Sequence, residues 1–126
     1  MSNLRLGRVQ MKIMRIIWEK GRVNAREITE TLNLNEPIAH STVQTLLRKM
    51  EAKGIVQHEI DDRTFVFYPT VKEGEVKEFI THDLVERLFD GSVGELVSHL
   101  LKHEDVPRDE LDHIRKLIDQ QKRKDG

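Results

Sequence analysis

The chain of 126 residues contains no cysteine. This absence excludes disulfide frameworks, cysteine nucleophiles, iron–sulfur clusters and thiolate metal sites. The sequence also has no apolar run close to the roughly 20 residues that span a bilayer, so we predict no direct membrane insertion. Its first five residues lack the apolar core of a signal peptide, and we therefore expect a cytoplasmic protein.

Signatures of common catalytic sites are missing as well. We find no Gly-rich phosphate loop, no G-x-S-x-G elbow and no H-E-x-x-H pair. His99 and His103 are four residues apart, which suits a metal on one helix face, but the sequence identifies no third ligand. We therefore predict no enzymatic activity, no catalytic residue, no cofactor and no metal site.

What the chain has is a soluble, charge-rich composition with an uneven charge distribution. Hydrophobic residues make up 37% and charged residues 34%, which leaves enough apolar residues for a folded core. Lys and Arg exceed Asp and Glu by 11 to 8 in residues 1–70, whereas the acidic residues lead by 14 to 10 in residues 71–126. A polyanion-binding module joined to a partner-binding module would show this division, and random scatter is the alternative.

Helical spacing of apolar residues marks three helices in the first half. The first is expected to end near residue 20, because Gly21 can adopt the left-handed conformation that closes a helix. Asn24 and Glu27 form a capping box for a short second helix. Ser41 and Gln44 form the same motif, which predicts the start of a third helix.

A β-hairpin is predicted after the third helix. Residues 55–60 and 64–68 are rich in β-branched and aromatic side chains, and a short polar turn separates them. Three helices followed by a hairpin is the order of a winged helix-turn-helix, in which the third helix enters the DNA major groove. We therefore predict a DNA-binding domain of this kind over residues 1–70, with double-stranded DNA as its partner.

The outer face of the third helix carries side chains suited to DNA. Thr42 and Thr45 can donate to phosphates or base edges, and Gln44 can bond adenine in two places. Arg48 and Lys49 can neutralise phosphates. An ordinary solvated helix face has the same composition, but the order of the preceding elements favours DNA.

Three further helices are predicted over residues 71–126, and they are too few and too short to close a core of their own. A second copy of the chain is the simplest partner, because a two-fold dimer presents two recognition helices to successive major grooves. Packing of these helices against their own winged helix is the alternative. The apolar residues expected in the dimer interface are Phe79, Leu84, Leu88, Leu96, Leu100, Leu111, Ile114 and Ile118. The predicted fold is thus mainly α with a small β-hairpin, an N-terminal winged helix-turn-helix followed by a three-helix dimerisation region.

Four stretches in this order resemble the BlaI/MecI/CopY family of bacterial transcriptional repressors, also called penicillinase repressor-like. The resemblance covers nearly the whole chain and both halves. The stretches are residues 16–21, residues 41–47 with Lys53-Gly54, the pair Tyr68-Pro69, and residues 88–92 continuing through 96–101.

The resemblance implies a homodimeric repressor that binds palindromic operators with TACA/TGTA-like half-sites. By position, the DNA-contacting residues of the helix would be Ser41, Thr42, Gln44, Thr45 and Lys49, and Arg63 would contact DNA from the wing. Some family members have a basic residue where Ser41 stands, so the affinity or the sequence preference of this chain is expected to differ from theirs.

In one branch of the family, a membrane sensor-protease pathway leads to cleavage of the repressor. By position, the cleaved bond would join His99 and Leu100, where well-known cleaved members have Asn and Phe. An alternative function is a winged helix that binds proteins without specific DNA binding. The weak net charge and the acidic wing tip, Asp61 and Asp62, favour this alternative.

Overall fold

A computed structural model describes residues 6–125. Residues 1–5, on which the expectation of no signal peptide rests, and Gly126 lie outside the described residues. The described elements, in chain order, are α1 (Arg8–Lys20), β1 (Val23–Asn24), α2 (Ala25–Asn33), α3 (His40–Ala52), β2 (Val56–Asp61), β3 (Thr64–Pro69), α4 (Glu73–Leu88), α5 (Val93–His103) and α6 (Arg108–Asp125).

Helix α1 ends, and helix α2 begins, where the sequence predicts. Gly21 stops α1 at a φ of 78°, and its N–H donates to the carbonyl of Ile17 at 2.7 Å. The side chain of Asn24 accepts the N–H of Glu27 at 2.9 Å, and the Glu27 carboxylate accepts the N–H of Asn24 at 3.2 Å. The predicted capping box of α2 is confirmed.

The predicted capping box at Ser41 is wrong. Helix α3 begins at His40, and its N-cap is Ala39, two residues before the predicted cap. The methyl group of Ala39 cannot accept a hydrogen bond. The Val43 N–H already donates to the Ala39 carbonyl at 3.2 Å, so Ser41 lies inside the first turn. The preceding loop is fixed instead by Asn33, whose side chain makes two 3.0 Å hydrogen bonds to the backbone of Ile38.

The hairpin carries a third strand that the sequence does not predict. Strands β2 and β3 pair in antiparallel register from Val56↔Pro69 to Asp61↔Thr64, and β1 pairs with the other edge of β3. The two residues of β1 are too few for any period to show. We call β2, β3 and their connecting turn the wing.

The core of the first half lies between α1, α2, α3 and the sheet. Val71, just after the sheet, packs against this core, and the indole Nε1–H of Trp18 donates to the Val71 carbonyl at 2.9 Å. The winged helix-turn-helix is confirmed by this arrangement. The buried residues are Ile13, Met14, Ile16, Ile17, Val23, Ile28, Val43, Leu47, Met50, Ile55, Val56 and Phe67.

The chain divides into two compact units, which we call unit 1 (Met1–Asp83) and unit 2 (Leu84–Gly126). The division falls inside α4. Of the described residues of unit 2, only Val85 is buried, and α5 and α6 have no buried residue. No helix within residues 6–125 is long and apolar enough to cross a membrane.

Candidate nucleic-acid interface

A groove of about 610 Å³ lies between the third helix and the wing, and we call it the α3–wing groove. Residues from α2, α3 and the hairpin line it, with Asn24 at the start of α2. The lining residues are Asn24, Ala25, Arg26, His40, Gln44, Leu47, Arg48, Arg63, Thr64, Phe65 and Phe67.

Positive charge is concentrated in this groove. Arg26, Arg48 and Arg63 come from three different elements, and none of the described residues that line the groove is a carboxylate. The whole chain has 22 acidic against 21 basic side chains, so this separation of charge is local. None of the three arginines forms an ion pair with a carboxylate within the described part of the chain. A groove of this charge suits a polyanion.

Two other arginines of unit 1 are paired with carboxylates. Arg8 Nη2 lies 2.6 Å from Glu36 Oε1, and Arg22 Nη2 lies 3.0 Å from Glu59 Oε2. The hydrogen bond from Arg8, and then its charge, hold the pKa of Glu36 below its ordinary value. Arg22 lowers the pKa of Glu59 by the same two effects. These arginines are less available to an anion than the three in the groove.

All seven residues predicted to contact DNA are exposed. The structure brings Gln44, Arg48 and Arg63 together in the groove. The other four lie on α3 but do not line the groove: Ser41, Thr42, Thr45 and Lys49.

The side chains of Thr45 and Arg48, both on α3, are linked by a hydrogen bond. Thr45 Oγ1 donates to the Ser41 carbonyl at 3.0 Å and accepts from Arg48 Nη2 at 3.2 Å. Arg48 is therefore oriented along its own helix rather than held by an acidic neighbour.

The groove also contains two ionisable residues that sequence reasoning missed. Arg26 lies in the first turn of α2, and His40 is the first residue of α3. The sequence predicts contacts from the outer face of the third helix and from the wing, but none from the start of α2. A combined view of the starts of both helices in the helix-turn-helix would have found them.

The wing contributes an apolar wall to the groove. Phe65 is 48% exposed, and its ring stacks on His58 with centroids 4.0 Å apart and planes at 13°. His58 is held in turn by Glu51, whose carboxylate oxygen lies 2.5 Å from the ring Nδ1. Phe65 is thus fixed as a flat apolar surface beside the arginines.

The predicted dimer-interface residues of unit 2 leave much apolar surface exposed. Leu96 and Ile114 are half-buried, and so is Phe79 on the unit 1 part of α4. The remaining five residues are exposed, with exposed fractions from 39% at Leu84 to 69% at Leu88. Leu100, Leu111 and Ile118 lie between these two values.

The candidate cleavage bond lies inside a helix. His99 and Leu100 are both exposed, near the C-terminal end of α5. The His99 ring contacts Phe89 at a centroid distance of 5.6 Å and His103 at 4.5 Å.

Within residues 6–125 no group of three or more His, Asp or Glu side chains is arranged to hold a metal ion.

A winged helix-turn-helix with a cationic groove beside its recognition helix defines a class of DNA-binding proteins. The family model described as Penicillinase repressor matches residues 6–120, so the chain belongs to the penicillinase repressor family. The resemblance to BlaI/MecI repressors is therefore confirmed. This is a family of transcriptional repressors rather than of enzymes.

Individual relatives agree with this assignment. The penicillinase repressor of Bacillus licheniformis is 23% identical over 113 residues, covering 90% of this chain and 88% of its own. The methicillin resistance regulatory protein MecI of Staphylococcus aureus (strain N315) is 25% identical over 109 residues, covering 86% and 89%. Among solved structures, monomeric B. licheniformis BlaI in complex with the blaP half-operator is 25% identical at a TM-score of 0.50, covering 56% of this chain and 87% of that one.

Proposed function

We propose that this chain is a homodimeric repressor that binds palindromic operator DNA in the cytoplasm. The α3–wing groove carries the proposal, because three arginines and no carboxylate line it. A DNA backbone is the polyanion that a groove beside a recognition helix would meet. The BlaI structure that this chain resembles was solved with half of an operator, which supports the same partner.

Base reading is assigned to the exposed face of α3. Gln44 can form two hydrogen bonds with adenine, and the hydroxyl and methyl groups of Thr42 and Thr45 suit base edges or phosphates. Ser41 and Lys49, exposed on the same helix, add contacts to the DNA backbone.

Arg63 is assigned a phosphate contact from the wing. Its φ is 68° and that of Asp62 is 49°, so the two-residue turn has the I′ geometry that normally selects Asn or Gly. A long side chain in this conformation costs about 1 kcal/mol. Its presence there supports a role for the guanidinium group.

Dimerisation is assigned to the C-terminal helices. Apolar residues on α4, α5 and α6 stay exposed in the single chain, from Leu84 to Ile118. A two-fold partner would cover them and would set two copies of α3 on successive major grooves. The proposed dimerisation domain is residues 71–126, and the proposed DNA-binding domain is residues 1–70.

Release from DNA is assigned to cleavage of the His99–Leu100 bond, with a membrane sensor-protease pathway as the source of the signal. Since a bond within a helix is cleaved after local opening, α5 must unwind first. The product would lose Leu100 and all of α6, and with them much of the proposed dimer surface. A chain ended at His99 should therefore sediment as a monomer and bind operator more weakly than the full chain.

The proposal is tested by titrating the full chain onto a fluorescent duplex with a TACA/TGTA palindrome, and onto a scrambled duplex. Binding should prefer the palindrome and weaken steeply with salt. Replacing Gln44 or Thr45 by Ala should cost about 1–3 kcal/mol for each lost base contact. Gln120→Ala on exposed α6 is the matched control and should leave affinity unchanged.

Each alternative predicts a different result in the same titration. Equal, salt-sensitive binding to both duplexes would keep DNA as the partner but reject the palindrome. Absence of binding to either duplex would reject the repressor and favour a winged helix that binds proteins. The exposed acidic pair at the wing tip, Asp61 and Asp62, favours the protein-binding function, because these carboxylates would repel phosphates.

A further inference from the structure

We propose that Arg26 and His40 bind a DNA phosphate at the α2–α3 corner of the α3–wing groove, and that His40 does so in its protonated form. Operator affinity would then fall as the pH rises through the neutral range. The inference rests on the proposed function, since it needs DNA in the groove. It adds a second anion contact that lies apart from the base-reading positions of α3.

The hydrogen bonds around His40 determine which ring nitrogen is free. Thr29 Oγ1 lies 2.8 Å from the Ala25 carbonyl and 2.9 Å from His40 Nδ1. A hydroxyl has one hydrogen, and the Ala25 carbonyl can only accept, so Thr29 donates to Ala25. His40 Nδ1 must then be the donor to Thr29, and Nε2 is the nitrogen left for a ligand.

The proton on Nε2 decides what the ring can bind. With Nδ1 already protonated, a neutral ring presents Nε2 as an acceptor, which repels a phosphate oxygen. A second proton turns Nε2 into a charged donor, which a phosphate accepts strongly. Histidine changes charge near neutral pH, so DNA binding takes up a proton in that range.

The charged groups that line the groove together with His40 are arginines. They are Arg26 of α2, Arg48 of α3 and Arg63 of the wing turn, and none of the described carboxylates lines the groove. A phosphate bound among these cations accepts a hydrogen bond from the protonated ring, so the bound proton and the bound DNA favour each other.

Arg26 differs from its near neighbour Arg22 in a way that allows a direct comparison. Both are exposed residues at the start of the helix-turn-helix. Arg22 is paired with Glu59 at 3.0 Å and does not line the groove, whereas Arg26 lines it and pairs with no carboxylate in the described chain. Only Arg26 is placed to neutralise a phosphate.

The first test is the salt dependence of operator binding by the full chain. Arg26→Ala should reduce the slope of log affinity against log salt by about 0.9, the effect of one phosphate contact on B-DNA. From about 50 to about 200 mM salt the variant would therefore lose roughly 3.5-fold less affinity than the wild type. Arg22→Ala should keep the wild-type slope, and equal slopes in all three proteins would overturn the assignment of Arg26.

The second test compares affinities at about pH 6 and about pH 8, where histidine changes charge. Wild type should bind on the order of tenfold more tightly at the lower pH, the effect of one charge-assisted hydrogen bond. His40→Ala should remove this difference. His113→Ala, which changes an exposed histidine of α6, should retain it.

His40→Asn is the control in case His40→Ala does not fold, because the asparagine amide can still donate to Thr29 but cannot gain a proton. A flat pH profile in a folded His40→Asn protein supports the proposal, and a wild-type profile in that variant overturns it. If the wild type binds the operator specifically and in a salt-dependent way, but Arg26→Ala keeps its salt slope and the His40 variants keep its pH profile, only the phosphate contact proposed here is rejected. Loss of all wild-type binding rejects the proposed function as well.

Discussion

Unit 1 and unit 2 differ sharply in how they bury apolar side chains. Within residues 6–125, thirteen of the fourteen buried hydrophobic residues lie in unit 1, and Val85 is the one in unit 2. Both units have the periodic apolar stripes that predict amphipathic helices. An amphipathic stripe therefore shows which face of a helix must be covered, but not whether residues of the same chain cover it.

The difference in burial also separates two roles within one chain. In unit 1 the closed core fixes α3 and the wing, so that polar side chains outside the core can be held in place. In unit 2 the apolar side chains are themselves at the surface. We therefore expect mutations in unit 1 to act on folding and DNA binding, and mutations in unit 2 to act on association.

The largest expected effect comes from truncating a leucine in each unit. Leu47 is 1% exposed and Leu111 is 41% exposed. Leu47→Ala should lower the unfolding free energy of unit 1 by about 2–5 kcal/mol, because it leaves a cavity. Leu111→Ala should leave that value within about 0.5 kcal/mol. Denaturant titration of the two variants measures both values, and equal losses of unfolding free energy would contradict the difference in burial between the two units.

A charge in the proposed interface should have the next largest effect. Ile114→Glu would place a carboxylate on the apolar stripe of α6, which should weaken the dimer by about 2 kcal/mol or more. Gln120→Glu puts the same charge on an exposed polar position of that helix and serves as the control. Sedimentation should show monomers for the first variant only. An unaltered Ile114→Glu dimer would remove Ile114 from the interface.

Neutralising the wing tip should have a smaller effect, confined to unit 1. Asp62→Asn keeps a residue that tolerates the left-handed conformation and removes one charge that would repel phosphates. DNA affinity should rise about two- to threefold at low salt and less at high salt. Asp119→Asn, the same change on α6, should have no effect on DNA affinity. Equal gains from both variants would point to net charge rather than to the wing.

The smallest effect is expected at the exposed ion pair of Arg8 and Glu36. The folded-state pKa of Glu36 is lowered, so the pair stabilises the fold at pH values above the unfolded-state pKa of about 4.3. This stabilisation is lost as the pH falls through the lower, folded-state pKa. Glu36→Gln should therefore reduce the Tm slightly at neutral pH, and the two proteins should converge in acid. A difference that persists in strong acid would contradict this cause.

Much of unit 1 could be predicted because its signals are local. The Asn24–Glu27 capping box, the stop at Gly21 and the hairpin around its polar turn each depend on a few adjacent residues. The start of α3 was predicted wrongly for a related reason. Ser41 matches the cap pattern, but the loop held by Asn33 starts the helix at His40, where no capping side chain is present.

The groove could be predicted only in part. Gln44, Arg48 and Arg63 follow from the face of one helix and from the resemblance to a family. Arg26 and His40 join them because α2 packs against α3, which no single periodic pattern shows. Strand β1 was missed for the same reason, since Val23 and Asn24 become a strand only through pairing with β3.

Trp18 is the only tryptophan in the chain, and its indole nitrogen donates to the Val71 carbonyl between the sheet and α4. The protein thus contains an intrinsic fluorescent reporter at the point where the chain leaves the winged helix. Its emission will move to longer wavelength when water replaces that carbonyl. Opening of this junction can therefore be followed without a label, independently of what happens at α6.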